Sequence, residues 1–209
     1  MVSKPSTELS SWLINQIKSL ELTRKRMENL HSNGTIFRRD LEHVYEGIFL
    51  KAVTSFESFL ENLFIGLLYE KYKLSSRKNV KRVNFINRKI TVEIILSGKS
   101  YVDWLPYNNV EDRAEIFFKE GLPFAIVDSS DKDILTQITT IRNAIAHKSP
   151  HSQNKFKTQV INNTRGLPPE NATPAGYLRY VFRTTPNQTK FENYMIGLAT
   201  IAGKIASYN

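Results

Sequence analysis

Apolar residues recur at steps of three and four over most of this chain, the spacing that lines one side of an α-helix. Leu9, Leu13, Ile17, Leu20 and Met27 follow it between Glu8 and His31, and Asn33-Gly34 supplies a left-handed stop, so a first helix is predicted over 8–31. The clearest stretch is 38–72, where Leu41, Tyr45, Ile48, Ala52, Phe56, Phe59, Leu63 and Leu67 predict one long core helix. Short helices are predicted at 91–96 and 109–119, the second with Asn109 as its N-cap, Asp112 in its first turn and Gly121-Leu122-Pro123 as its end. From Ser130-Asp131 onward, Ile134, Ile138, Ile141 and Ile145 share one side of a helix that must stop near Lys148, because Ser149-Pro150 cannot continue it. A closing helix capped by Asn187 would bury Phe191, Tyr194, Leu198, Ile201 and Ile205.

Two stretches interrupt this pattern. Residues 71–89 hold eight lysines and arginines and no carboxylate, so no ion pair within the run can neutralise it. An exposed loop or short extended segment is predicted there, inside a basic insertion of about 73–107. The second interruption, about 149–186, is rich in Pro, Asn and Thr. Within it, the stretch from Gly176 (GYLRYVFRTT) reads as a strand paired with KTQVIN at 157–162. The expected fold is all-α: a helical bundle with a small loop or β-hairpin insertion before its last helix. At 209 residues, a single domain over 1–209 is predicted.

Composition narrows the chemistry. With 29 Lys and Arg against 20 Asp and Glu, the formal charge is +9, which favours polyanionic partners, nucleic acid before an acidic membrane surface. The absence of cysteine excludes disulfides, thiolate ligands and cysteine nucleophiles. The N-terminal stretch lacks the apolar core and cleavage site of a secretory signal, and the longest apolar run, 63–69, is too short to span a bilayer. A cytoplasmic location and no membrane partner are therefore expected.

The candidate chemistry lies at the end of the helix predicted over 130–148, in the segment IRNAIAHK at 141–148. An arginine followed five residues later by a histidine also occurs at Arg26–His31 and Arg38–His43, so the spacing alone carries little. Arg142–His147 differs in having the polar Asn143 beside the arginine, in closing an amphipathic helix, and in being followed by one more long helix. Asn143 and His147 lie one turn apart, opposite the isoleucine side, with Arg142 on the flank. The same outer side carries Thr136, Thr139 and Thr140, and no charged residue lies between Asp133 and Arg142. Polar but uncharged, that face predicts burial against a second polypeptide.

In this setting the segment resembles the Arg, polar residue, three further residues, His pattern of the HEPN family of RNA-cleaving and nucleic-acid-associated helical bundles. The resemblance covers the helices at 8–72 and 130–206; the stretches 73–129 and 149–186 depart from a minimal bundle of this kind. It implies a homodimer with Arg142, Asn143 and His147 at a shared site, cleavage of RNA (transfer RNA being one candidate) without metal or cofactor, and a 2′,3′-cyclic phosphate product. It also implies a toxin–antitoxin or antiviral-defence role, with a cognate antitoxin or defence-system protein as partner. Residue chemistry agrees: histidine moves protons near neutral pH, and an arginine fork matches the oxygens of a pentacoordinate phosphate. Glu57, off the apolar stripe of its helix, is a candidate supporting carboxylate, because some members carry one in this helix; Glu61 is expected to face water. Lys78, Lys81, Arg82, Arg88 and Lys89 are candidate phosphate contacts, with Phe85 as a stacking ring. Two blander readings stand beside these. The family includes catalytically inactive modules that bind nucleic acid or protein, and the basic run also suits a solvated loop. A histidine ending a helix also suits the helix dipole without any catalysis.

Overall fold

The computed structural model describes residues 3–75 and 80–209. It is an all-α helical bundle with a small antiparallel hairpin before the last helix. Strand β1 (Lys4–Pro5) leads into α1 (Thr7–Ser32), which Gly34 terminates at φ +72°. Helix α2 (Arg38–Leu68) opens with Asp40 accepting the Phe37 N–H at 3.2 Å. It ends four residues short of the predicted 72. Glu70 turns left-handed at φ 63°, and Tyr72–Lys73 becomes β2, paired in parallel with β1. The Tyr72 ring folds back onto Gly66, where a Cβ would collide with it.

Helix α3 (Arg88–Leu96) is capped by Asn87, whose side chain accepts from Ile90 N–H at 3.1 Å. Helix α4 (Asn108–Phe117) begins before the expected cap: Asn109 is already inside it, bonded through its N–H to the Pro106 carbonyl, and Tyr107 holds the N-cap position. Helix α5 (Ser129–His147) starts where Asp128 accepts from Asp131 N–H at 3.0 Å and from the Ser130 hydroxyl at 2.6 Å. Those bonds, with Lys204 beside them, hold the Asp128 carboxyl well below the usual range.

The largest departure from expectation follows α5. KTQVIN is helical, not a strand: α6 (Pro150–Phe156) continues through a wider turn at Lys157–Ile161, and Phe156 and Val160, four apart, are buried on one side. Gly176 likewise opens no strand. It lies in α7 (Pro174–Arg179), donating its N–H to the capping Thr173 hydroxyl at 3.1 Å, and a Cβ there would sit 2.9 Å from the Asn171 backbone. The hairpin is smaller and later, β3 (Val181–Thr184) against β4 (Asn187–Thr189). Asn187 is therefore a strand residue, and Thr189 caps α8 (Lys190–Ala206). Its hydroxyl accepts from Glu192 N–H at 3.2 Å while Glu192 accepts the Thr189 N–H at 2.8 Å, a reciprocal capping box.

The chain forms two compact units, and α1, α2, α5 and α8 each contribute residues to both. The first takes in the described residues of Met1–Ile14, Ser55–Leu135 and Ala199–Asn209, around an aromatic core. There Phe64 meets Phe118, Phe124 and Trp104 at centroid distances of 5.0, 5.1 and 5.4 Å. Such pairs are worth about 0.5–1.5 kcal/mol each beyond the area they bury. The second, Asn15–Thr54 with Thr136–Leu198, joins its aromatic core to polar groups. Tyr45 packs on Phe191 at 5.6 Å, and its hydroxyl donates to Glu28 at 2.7 Å. Buried Arg24 bridges Glu21 at 3.0 Å and Glu192 at 2.5 Å. Burial raises the Glu21 carboxyl; in Glu28 the same effect is outweighed by hydrogen bonds from Arg179 and Tyr45, and its carboxyl is held low. Among the described residues no helix is long and apolar enough to cross a membrane.

Candidate functional site

The end of α5 is anchored from its apolar side. Leu135, Ile138, Ile141, Ala144 and Ile145 are buried, and Ile134 is half-buried. This leaves Arg142 and Asn143 half-buried on the other side and His147 exposed as the final helical residue. The next residue, Lys148, takes φ +46° and turns the chain out of the helix. Helix ends orphan their last carbonyls. Here Gln153 from α6 donates its amide to the Ala144 carbonyl at 2.7 Å, and Ser149 caps α6 by accepting from Ser152 N–H at 3.2 Å. The insertion after α5 thus fixes the point at which His147 leaves the helix.

The three predicted side chains converge. Arg142 donates through Nη1 to Asn143 Oδ1 at 3.0 Å, and the same nitrogen lies 3.4 Å from His147 Nε2. A guanidinium can only donate, so in this contact Nε2 is on the accepting side. At 3.4 Å the contact is weak, and a phosphate oxygen would compete well for the same donor. The arrangement offers a permanent cation, an amide and an imidazole with an accepting nitrogen at one helix terminus.

The uncharged outer face has an explanation within the chain at one position. Thr140 is buried, its hydroxyl bonded to the Thr136 carbonyl at 2.9 Å and to Gln159 at 3.3 Å, so the chain's own 157–161 turn covers it. Thr136, Ala146 and His147 remain exposed. Glu57 is half-buried on α2, in the first compact unit, whereas Arg142, Asn143 and His147 belong to the second. The other two arginine–histidine spacings are engaged differently. Arg38 pairs with Glu42 at 2.8 Å, and the His31 ring lies 3.2 Å from the Ile36 carbonyl.

Several of the described residues of the basic run have partners elsewhere in the chain. Lys78 lies outside the described residues. Lys81 pairs with Glu70 at 2.7 Å and bonds Asn84 at 3.2 Å, which holds the Glu70 carboxyl low. Arg82 donates to the Phe118 carbonyl at 3.0 Å, and Arg88, opening α3, lies 3.7 Å from Glu61. Lys89 is exposed on the first turn of α3. Phe85 is half-buried, edge-on to Phe117 at 6.3 Å, and its N–H bonds the Leu68 carbonyl at 2.9 Å, so its ring is a packing contact before it is a stacking surface. The run contains no carboxylate, but Glu70 and Glu61 reach it from outside. Glu61 therefore has a cationic neighbour instead of facing only water.

Sequence reasoning missed Ser149, Gln153 and Gln159. The available signal was Ser-Pro as a cap and first helical residue, followed by Phe156 and Val160 at helical spacing. No group of three or more His, Asp or Glu that would hold a metal ion occurs among the described residues. Comparison with protein-family models, curated proteins and solved structures finds no match to this chain.

Proposed function

We propose that this protein is a HEPN-type endoribonuclease that cleaves RNA by attack of a ribose 2′-hydroxyl on the adjacent phosphorus. The observation that carries the reading is the convergence of Asn143 Oδ1 and His147 Nε2 on one Arg142 nitrogen, at 3.0 and 3.4 Å. In the proposed reaction, His147 Nε2 accepts the 2′-hydroxyl proton. The 2′-oxygen bonds to phosphorus, the bond from phosphorus to the 5′-oxygen breaks, and the leaving oxygen takes a proton from the His147 of a second copy. The products are a 2′,3′-cyclic phosphate and a 5′-hydroxyl. Arg142 redirects to the phosphate the donor it aims at His147 as negative charge builds there, and its bond to Asn143 Oδ1 keeps the fork oriented.

Two proton-transfer groups are needed and each chain brings one to this helix end, so the active form is a two-fold homodimer. The net charge of +9 draws RNA to the protein, with transfer RNA among the candidate substrates. A chain with this activity needs restraint in its own cell, which fits a toxin–antitoxin or antiviral-defence role under a cognate partner protein. The decisive experiment incubates the purified protein with mixed RNA in EDTA and maps the ends formed. Cyclic-phosphate and 5′-hydroxyl ends, lost in His147→Ala, are expected. Intact RNA, or cleavage restored only by a divalent metal, overturns the proposal.

A further inference from the structure

Within the first compact unit, α2, α3 and the segment between α3 and α4 line a half-open cavity of about 240 Å³. Its walls include Glu61 and Ile65 from α2, Val92 and Ile95 from α3, and Tyr101 and Trp104 from the connecting segment. We infer that this cavity binds a guanine base. The size suits one flat ring system: it exceeds the roughly 150 Å³ of a cavity that takes benzene and falls below the roughly 300 Å³ at which pockets for drug-sized ligands begin. Trp104 forms a fixed wall, 4% exposed, with the Arg113 guanidinium 5.2 Å from its ring centre and Phe64 at 5.4 Å. Tyr101, by contrast, is 70% exposed and free to cover a base from outside. Stacking on the Tyr101 ring tolerates any base, so it supplies affinity without choice, and buried Trp104 serves only as the back wall.

Choice comes from Glu61, the one acidic residue among the described residues lining the cavity. Two carboxylate oxygens accept best from two adjacent N–H donors. Of the four RNA bases, guanine alone offers that pair on one edge, at N1 and N2. Adenine and cytosine set one amino group beside an accepting ring nitrogen, and uracil sets one N–H between two carbonyls. Arg88, at 3.7 Å and with both side chains about half exposed, holds Glu61 loosely enough for a ligand to share it. Arg88 and Lys89 also open the helix whose Val92 and Ile95 line the cavity, so the phosphate of a guanosine has cations nearby. That the guanosine belongs to an RNA chain rests on the ribonuclease reading. A free guanine nucleotide presents the same chemistry.

Calorimetric titration of full-length His147→Ala protein tests this with GMP, IMP, AMP, CMP and UMP, and with a 2′-O-methyl oligouridine carrying one guanosine. GMP should bind at least about tenfold more tightly than AMP, CMP or UMP. IMP, which lacks the N2 amino group, should lose most of that advantage, since the missing hydrogen bond leaves one oxygen of a charged acceptor unmatched. Adding Glu61→Gln should abolish the preference for GMP while leaving AMP binding unchanged, which also reports that the variant is folded. Tighter binding of the oligonucleotide than of GMP identifies RNA as the source; tighter binding of GMP identifies a free nucleotide. Equal affinity for all five nucleotides, no binding by any probe, or a GMP preference that survives Glu61→Gln overturns the inference. Selective GMP binding by a protein whose wild type cuts no RNA leaves the pocket standing and removes the ribonuclease. RNA cleavage without guanine selectivity does the reverse.

Discussion

The start of α2 and the end of α5 carry the same spacing, an arginine with a histidine five residues on, and they make different structures from it. In α2 the position four residues after Arg38 is Glu42, which pairs with the guanidinium at 2.8 Å, and a second arginine nitrogen donates to the Glu170 carbonyl at 3.1 Å. In α5 the equivalent position is Ala146, so no carboxylate stands at the spacing that favours an ion pair. Arg142 turns instead to Asn143 and His147. The two segments also sit at opposite ends of their helices: Arg38 opens α2, at its positive end, and His147 closes α5, at its negative end. The same spacing thus takes different partners according to the residue at the fourth position.

The strongest test of this contrast removes each histidine in turn. His147→Ala should lower RNA cleavage by about 100-fold or more, the usual scale of general acid–base catalysis, with RNA affinity and thermal midpoint nearly unchanged. His43→Ala should change the rate by less than about twofold, because His43 is exposed beside an arginine already paired elsewhere. Equal losses in both variants would place the two segments on the same footing and remove the case for α5. Next in size is the arginine. Arg142→Lys should lower the rate by roughly tenfold and Arg142→Ala by more, since an ammonium supplies charge but not the forked donor geometry. Full activity in Arg142→Lys would show that charge alone suffices.

How much of this was legible in the sequence depended on distance along the chain. The long helices announced themselves through apolar positions that recur over many turns, and Arg142, Asn143 and His147 could be grouped because they share two turns of one helix. Residues 149–186 were opaque because prolines there do two jobs. Pro150 and Pro174 stop what precedes them and also open α6 and α7 behind the caps Ser149 and Thr173. The β-branched Thr158, Val160 and Ile161 favour a strand, but burial of Phe156 and Val160 on one helical side overrides that preference. The partners of the basic run were invisible for another reason. Glu61 and Glu70 lie outside it, and the folded chain brings them to Arg88 and Lys81.

A more local test transplants the feature that distinguishes α2. Ala146→Glu installs a carboxylate four residues after Arg142, where it should capture the guanidinium as Glu42 captures Arg38. A negative charge within about 4 Å of the scissile phosphate opposes the transition state by roughly 1 kcal/mol or more, so cleavage should fall by about fivefold or more. The loss should shrink as salt rises, because position 146 is exposed and the repulsion is screened. An unchanged rate at low salt would mean that the fourth position does not govern what Arg142 does.

The smallest effect comes from the reciprocal change, Glu42→Ala, which releases Arg38 from its ion pair. Exposed pairs at this spacing contribute about 0.3–0.5 kcal/mol, and both side chains here are substantially solvated, at 48% and 28% exposure. The thermal midpoint should therefore drop by no more than about 2 °C for a domain of this size, measured by circular dichroism. Placed in the His147→Ala background, the same change asks whether an unpaired Arg38 and His43 can act for the missing site. They should not, because no Asn143 equivalent stands beside Arg38: the next residue is Arg39. Cleavage in the double variant should stay at the His147→Ala level. Recovery of even a tenth of the wild-type rate would mean that spacing, once unmasked, is sufficient, and that the contrast between the two helices lies only in the ion pair.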